Sequence, residues 1–433
     1  MLKRMRSFLV LVMLFITVTM SAQVTTATMS GKVTAQDEPI IGATIVAVHE
    51  PSGTRYGTVT NVSGQFNLQG MRTGGPYKVE ISYVGYQTAI YKGINLSLGE
   101  NYVLNVSLKE SSELLDEIVV TASKNSNMKS DRAGAITNIG EEQMAMIPTV
   151  GRSMNDIMRL TPQGANTGNG FAVGGGNYRQ SSVTVDGAAF SNSFGIGSNL
   201  LGGGSPISLD ALEQIAVSVT PFDVRQSGFI GGAINAVTKS GTNDFYATAY
   251  TYLNNENLNG DKVGDLELIR EKSQKYLYGA SFGGAIIKNK LFFFVNGEYE
   301  DNVTAGPKSR ARLSDSDDWG SNTANVNRPT VGKMDEIRNY FIDKYDYDPG
   351  RYQGYSIKTP AYKIMARLDW NINDNNKLNF RFTRAHSKDN SGPTSSVSPF
   401  YATDIYDGGA AASKGSGNVN HNAAMYFENS RYF

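Results

Sequence analysis

The sequence predicts a mainly β chain: a transthyretin/Ig-like β-sandwich, an α+β segment, and the first strands of a truncated transmembrane β-barrel. Composition is the first observation, because 46 Gly, 23 Tyr and 19 Phe against 2 Trp in 433 residues suit strands and turns better than helices. The second is an N-terminus laid out for export. The third is a C-terminal part in which apolar and polar residues alternate over runs of about ten, as in outer-membrane strands. A chain of this length exceeds one ordinary core, so boundaries are expected inside it.

Charge and cysteine content narrow the function classes. Lys plus Arg number 40 and so do Asp plus Glu, so no net field draws the chain to nucleic acid or an anionic surface, and nucleic acid is not expected as a partner. Cys is absent, which removes disulfides, thiolate metal sites and cysteine nucleophiles. Lys3, Arg4 and Arg6 precede an apolar run from Phe8 to Met20 and then Ser21-Ala22-Gln23, the layout of a secretory signal over 1–23. That run is shorter than the roughly 20 apolar residues of a spanning helix. Later stretches are too polar for one, so a membrane form of this protein must be a barrel, whose backbone groups pair within a closed sheet.

Residues 28–110 read as short strands separated by turns: SGKVTA, PIIGATIVAV, GTRYGTVTN, GQFNLQG, YKVEISYVGY and NYVLNVSL. About seven strands in about 80 residues fit a small sandwich. Asn61 to Gly64 reads as a turn, and Gly42 and Gly85 fall where a bulge or corner is expected. The runs P-I-I-G-A-T, G-T-V-T-N-V-S-G-Q-F and I-S-Y-V-G-Y closely resemble the carboxypeptidase regulatory-like domain found ahead of many Bacteroidetes outer-membrane receptors. A peptidase would need a zinc constellation. The histidines are His49, His386 and His421, none of them in H-E-x-x-H, and His49-Glu50-Pro51-Ser52 lacks a carboxylate three residues on. His49 is read as a strand-end surface residue. No catalytic residue, metal ligand or cofactor is assigned, and an enzyme is not expected.

Residues 111–132 form a linker. Within it Leu114 to Ala122 is apolar and β-prone, able to add as a strand to a partner's sheet edge. The stretch Asp116, Glu117, Ile118, Val119, Val120, Thr121, Ala122 resembles the TonB box, which implies the TonB-ExbB-ExbD energy-coupling complex as partner. A last strand of the preceding sandwich, or a plain linker, is the alternative.

In 133–241, Glu141 to Met146 and Ser153 to Leu160 read as short helices, with Ser153 and Asp156 fitting a capping box. The glycine-rich Gly164 to Gly176 has no G-K-[ST] ending and no strand-to-helix setting, so it is read as close-packed backbone and loops, not as a phosphate site. The motifs I-M-R-L-T-P, S-V-T-V-D-G, L-E-Q-I-A-V and F-D-V-R-Q-S-G-F-I-G-G-A-I-N-A-V-T-K-S-G-T-N resemble the plug of TonB-dependent receptors, of the Oar-like more than the SusC branch. The family's Ile-Arg-Gly motif is replaced around Gly175-Gly176-Asn177-Tyr178-Arg179, so ligand contacts do not carry over. A plug must fill a pore and still yield, which calls for polar contacts to the wall. Asp186, Asp223, Arg225 and Lys239 are the candidates, with solvated turn charges as the alternative, and charge reversal at Arg225 is expected to loosen the plug.

Residues 242–433 are read as the start of the barrel. Tyr362, Ile364, Ala366, Leu368, Trp370 and Ile372 alternate with Lys363, Arg367, Asp369 and Asn371, one face for lipid and the other for water. After a turn at Asn373 to Asn376, Leu378, Phe380 and Phe382 point outward against Asn379 and Arg381. Tyr276 to Ile287 and Leu291 to Glu300 form a second hairpin across Lys288-Asn289-Lys290, and Asp301 to Pro360 reads as a long loop. With Asp244 to Leu253 and a start near Asn422 there are about six strands against the 22 of a plugged transporter, so the family resemblance implies a chain about twice this length, of which this is a fragment. Phe433 does not fit a terminal strand, because Arg431 and Asn429 break the alternation before it.

The resemblance thus implies a receptor in the outer membrane of a Gram-negative bacterium, in contact with its lipid, with sandwich and TonB-box-like segment in the periplasm. It would move a bulky solute or peptide, inward or outward, using the proton-motive force. Cargo is unknown, and a surface lipoprotein lid is neither required nor excluded. A surface binding or adhesion protein without transport is the alternative.

Overall fold

The computed structural model describes residues 25–110, 118–121, 136–147, 152–167, 170–190, 207–219, 226, 229–258, 260, 262–263, 266–267, 272–306, 310–319, 326–374 and 376–387. The leader at 1–23, Asp116, Glu117, Ala122, Asp223, Arg225 and the strand start near Asn422 lie outside them. The described residues fall into two units, one within 1–250, 279–298 and 362–386, the other within 251–278, 299–361 and 387–433.

The first unit begins with the sandwich. One sheet is built on Ala27–Ala35, flanked by Glu38–Pro39 and Gln65–Met71 and joined in parallel by Asn101–Val103 and Val106–Ser107. The other runs Ile118–Thr121, Ala89–Leu96, Gly74–Ser82, Thr44–His49, Thr54–Val59. Period-two patterning puts Met29, Val33, Ile45, Ala47, Phe66, Leu68, Tyr77, Val79 and Ile81 into the shared core. The expected turn at Asn61 to Gly64 forms because Asn61 Oδ1 accepts from Ser63 N at 3.0 Å and Gln65 N at 2.9 Å. Gly64 has φ 72°, and a Cβ there would stand 2.6 Å from Val33 O.

The α+β module follows. Its sheet runs Ile136–Gly140, Leu212–Ser218, Ala233–Thr238, Ser182–Val185, Ala188–Ala189, with helices Glu141–Met146 and Met154–Met158 packing Met144, Met154, Ile157 and Met158 against Val183, Val185, Ile215, Val217 and Ile234. The Ser153 box is formed, with Asp156 N donating to Ser153 Oγ and Ser153 N to Asp156 Oδ2, each at 3.3 Å. One expectation is corrected. The glycine tract is not only loop: Gly164–Thr167 and Gly170–Val173 pair as an antiparallel hairpin. Phe171 folds over Gly164, where a Cβ would meet its ring at 2.0 Å.

A separate sheet runs Tyr246–Asn255, Ser273–Ile287, Leu291–Ala305, Ala361–Asn371, Lys377–Ser387. Its hairpin turns are the expected ones, closed by Lys290 N to Ile287 O at 3.0 Å and Asn376 N to Asn373 Oδ1 at 2.7 Å. Ile364, Leu368, Trp370, Ile372, Leu378, Phe380 and Phe382 are exposed on one face, while Lys363, Met365 and Arg367 are buried on the other. Among the described residues this sheet is open, its edges Tyr246–Asn255 and Lys377–Ser387. No described helix is long and apolar enough to cross a membrane, which says nothing of strands.

In the second unit, the stretch expected as one long loop contains the helix Val331–Tyr345. Thr330 Oγ1 caps it by accepting from Lys333 N at 3.3 Å, and it ends at Asp346 in the left-handed region, φ 48°. Met334 is its buried contact.

Candidate functional site: the seam between the α+β module and the strand wall

The inward face of the long strands does not meet bulk water, as the alternation alone suggested; much of it meets the α+β module. Asp186 sits at a turn with φ 51°, a conformation that Asp tolerates. Its carboxylate accepts from Thr238 N at 3.0 Å and Thr238 Oγ1 at 2.6 Å, which ties two strands of the module together. Arg381 of the wall places Nε 3.6 Å from the same carboxylate and donates through Nη1 to Asp186 O at 3.3 Å. Arg367 donates to Thr238 O and pairs with Asp369 at 2.8 Å. Asp369 in turn accepts from Ser240 Oγ at 2.6 Å and faces Arg72 of the sandwich at 3.7 Å.

A second polar patch lies further along the wall. Lys363 Nζ is 2.6 Å from Glu298 Oε1, with side chains 9% and 0% exposed. The other carboxylate oxygen accepts from Ser208 Oγ at 2.9 Å and Tyr250 OH at 2.8 Å, so the buried charge is paired and fully hydrogen-bonded. Thr248 Oγ1 donates to Asp210 Oδ2 at 2.7 Å, and the Arg152 guanidinium stands 4.6 Å from the Tyr250 ring centre. Between the patches, Phe294 and Met365 of the wall enter the core of the module. The seam is therefore a thin apolar joint held at its margins by ions and hydroxyls.

Two titratable groups sit where sandwich, module and wall meet, around a cavity of about 270 Å³ lined by His49, Arg72, Glu141, Glu213, Lys239 and Tyr246 among others. Burial pushes the Glu213 carboxyl up to about 7, against the pull of Arg72 and Arg367. Burial, and then Arg72, holds His49 down at about 3. The surface position expected for His49 is corrected: it ends its strand but is 7% exposed. Ser52 Oγ lies 2.7 Å from Nδ1 and the Tyr77 ring 5.0 Å away, a cover that the following turn and another strand provide.

Of the residues singled out from sequence, Asp186 lies at the seam. The Lys239 ammonium pairs with Glu141 of the module's own helix at 2.8 Å instead of reaching the wall. Ile118, Val119, Val120 and Thr121 form a parallel strand beside Ala89, Ile90, Tyr91 and Lys92 at the edge of the sandwich, the position that the alternative reading of this segment gave it. Glu298, Lys363, Arg367, Asp369 and Arg381 were legible as inward-facing, but Glu298, Arg367, Asp369 and Arg381 were not legible as partners of the module. Arg72 and Glu213 carried no sequence signal. Among the described residues no three His, Asp or Glu converge as a metal site requires.

Comparison with known proteins agrees with this architecture. Residues 28–109 match the carboxypeptidase regulatory-like domain, and residues 237–428 match an outer membrane beta barrel domain. The TonB-dependent transporter Oar of Myxococcus xanthus is 24% identical over 348 residues, 74% of this chain and 30% of Oar. The TonB-dependent receptor SusC of Bacteroides thetaiotaomicron is 31% identical over 108 residues, 25% of this chain and 9% of SusC. The siderophore receptor PirA from Acinetobacter baumannii superposes with a TM-score of 0.38 at 16% identity, over 58% of this chain and 31% of its own. The chain thus spans less than a third of the relatives it matches. Its matched sandwich, its matched outer-membrane strands and its TonB-dependent relatives make one consistent set, and together they support reading the chain as a TonB-dependent receptor.

Proposed function

We infer that the α+β module, residues 133–241, is the plug of an outer-membrane transporter, that the strands from 242 onward begin its wall, and that sandwich and linker face the periplasm. The observation that carries this is the composition of the seam. A permanently fused interface is expected to be predominantly apolar, whereas this one is fastened by Asp186–Arg381, Thr238–Arg367 and Ser208–Glu298 around a small apolar joint. Polar fastenings of this kind are exchangeable for water when the plug yields. The whole protein then moves a bulky solute or peptide, driven by the TonB-ExbB-ExbD complex acting on Asp116 to Ala122.

The test is site-directed cross-linking in cells. Val119→Cys in the full-length receptor is paired with a cysteine in the periplasmic domain of TonB, and a cross-link that forms there and not with Val62→Cys, 76% exposed in the sandwich turn at Asn61 to Gly64, supports coupling. Absence of any TonB adduct, together with cargo binding that persists unchanged without the proton-motive force, would favour a surface adhesin.

A further inference from the structure

A domain joined to the plug by a linker needs no contact with the wall, yet the sandwich touches both at one place. The turn after Thr44–His49 and the strand beyond it reach the wall turns. Pro51 O accepts from Asn243 N at 2.8 Å, Thr54 Oγ1 accepts from Asn371 Nδ2 at 2.9 Å, and Lys377 Nζ stands 3.3 Å from the Tyr56 ring centre while donating to Arg55 O at 3.3 Å. At the other side Leu98 enters the plug: its N–H donates to Gln214 Oε1 at 2.8 Å and its side chain, 1% exposed, packs with Ala216 and Val237. Arg72 stands between, 3.7 Å from the wall's Asp369 and beside the cavity that Glu213 of the plug also lines.

The strand that leads into Leu98 is Ala89–Leu96, and it is the strand on which Ile118–Thr121 is laid in parallel. A pull on that short strand therefore loads the element that holds Leu98 in the plug before it loads the plug itself. We propose that the sandwich is a clamp that keeps the plug seated, pinned to plug by Leu98 and to wall by Arg72 and Thr54, and that it must be undocked before the plug can move. This rests on the reading of the chain as a TonB-coupled transporter.

The clamp is tested with a reversible staple in the full-length receptor carrying no other cysteine. Thr54→Cys and Asn371→Cys, whose parent side chains are in hydrogen-bond contact, lock sandwich to wall when oxidised, and Ser218→Cys, 2% exposed in the plug sheet, reports plug movement by reaction with a membrane-impermeant maleimide. In energised cells labelling rises severalfold over uncoupler-treated cells when the staple is reduced, and stays at the uncoupled level when it is oxidised. Equal energised labelling in both states overturns the clamp. Absence of energised labelling even without the staple overturns the transporter reading itself, and the clamp with it. Because reduction restores the starting protein, misfolding cannot imitate the expected result.

Discussion

Replacement of Asp186 by Asn tests how the α+β module, the proposed plug, is fastened to the wall, because Asn keeps the shape of the side chain and tolerates the left-handed turn at φ 51°. The substitution removes one charge. Hydrogen bonds to a charged acceptor contribute about 1.5–3 kcal/mol against about 1 for neutral ones, so weakening the two from Thr238 N and Oγ1 costs, at the lower end of that difference, about 1 kcal/mol in total. Loss of the ion pair with Arg381, at 3.6 Å with side chains 20% and 8% exposed, adds about 1 kcal/mol, a value discounted toward the surface-pair range because the arginine is partly solvated. The sum, about 2 kcal/mol, is roughly a thirtyfold change in the ratio of seated to released plug. With a urea dependence of about 1 kcal/mol/M for a domain of this size, the urea concentration at which the full-length receptor begins to conduct in a planar bilayer falls by about 2 M. Asp186→Ala lowers it further, since Ala in that turn is strained by about 1 kcal/mol. Conductance onset at the parental urea concentration in Asp186→Asn would refute the fastening.

Other outcomes follow from the same geometry. Glu213 has a folded value near 7, raised from 4.5, so the folded state binds the proton more tightly and stability is lost as pH rises from about 4.5 to 7; Glu213→Gln flattens this slope, read from hydrogen exchange of the plug sheet at pH 5 and pH 8. For His49 the sign is opposite. Its value falls from 6.5 to about 3, so its contribution is complete above 6.5 and lost as pH falls toward 3, and His49→Gln makes hydrogen exchange in the sandwich less acid-sensitive. On the exposed face, Leu368→Arg costs about 2–4 kcal/mol if that face meets the lipid midplane, which appears as a lower yield of heat-modifiable folded receptor on gels; an unchanged yield would place the residue away from lipid.

Most local signals were legible in the sequence, two local elements were not, and the long-range partners were not. The hairpins across Lys288-Asn289-Lys290 and Asn373 to Asn376 each depend on a few adjacent residues and a period of two, and so does the capping box at Ser153. The Gly164–Val173 hairpin was missed because it depends on Phe171 closing over a glycine, a packing event that composition does not announce. The helix Val331–Tyr345 was missed although Thr330 stands at its N-cap and Met334, Ile337, Phe341 and Tyr345 recur at helical spacing, because the charged residues between them read as loop. At the seam, the inward positions of Glu298, Lys363 and Arg367 could be counted off the alternation, but their partners lie 90, 65 and 129 residues away in sequence. Arg72, in a turn of the sandwich, and Glu213, next to a buried strand residue, look like ordinary surface charges until the modules meet.

The presence of Phe294 and Met365 in the core of the α+β module bears on the order in which the proposed plug and its wall form. Each is at most 2% exposed, and burying such a side chain contributes about 2 kcal/mol. A plug released from the ribosome ahead of its wall therefore lacks part of its own interior, and reaches full stability only as the wall strands arrive. Synthesis and export would thus deliver a slack, pliable segment to the membrane, kept from setting prematurely in a shape that the closing barrel would have to exclude.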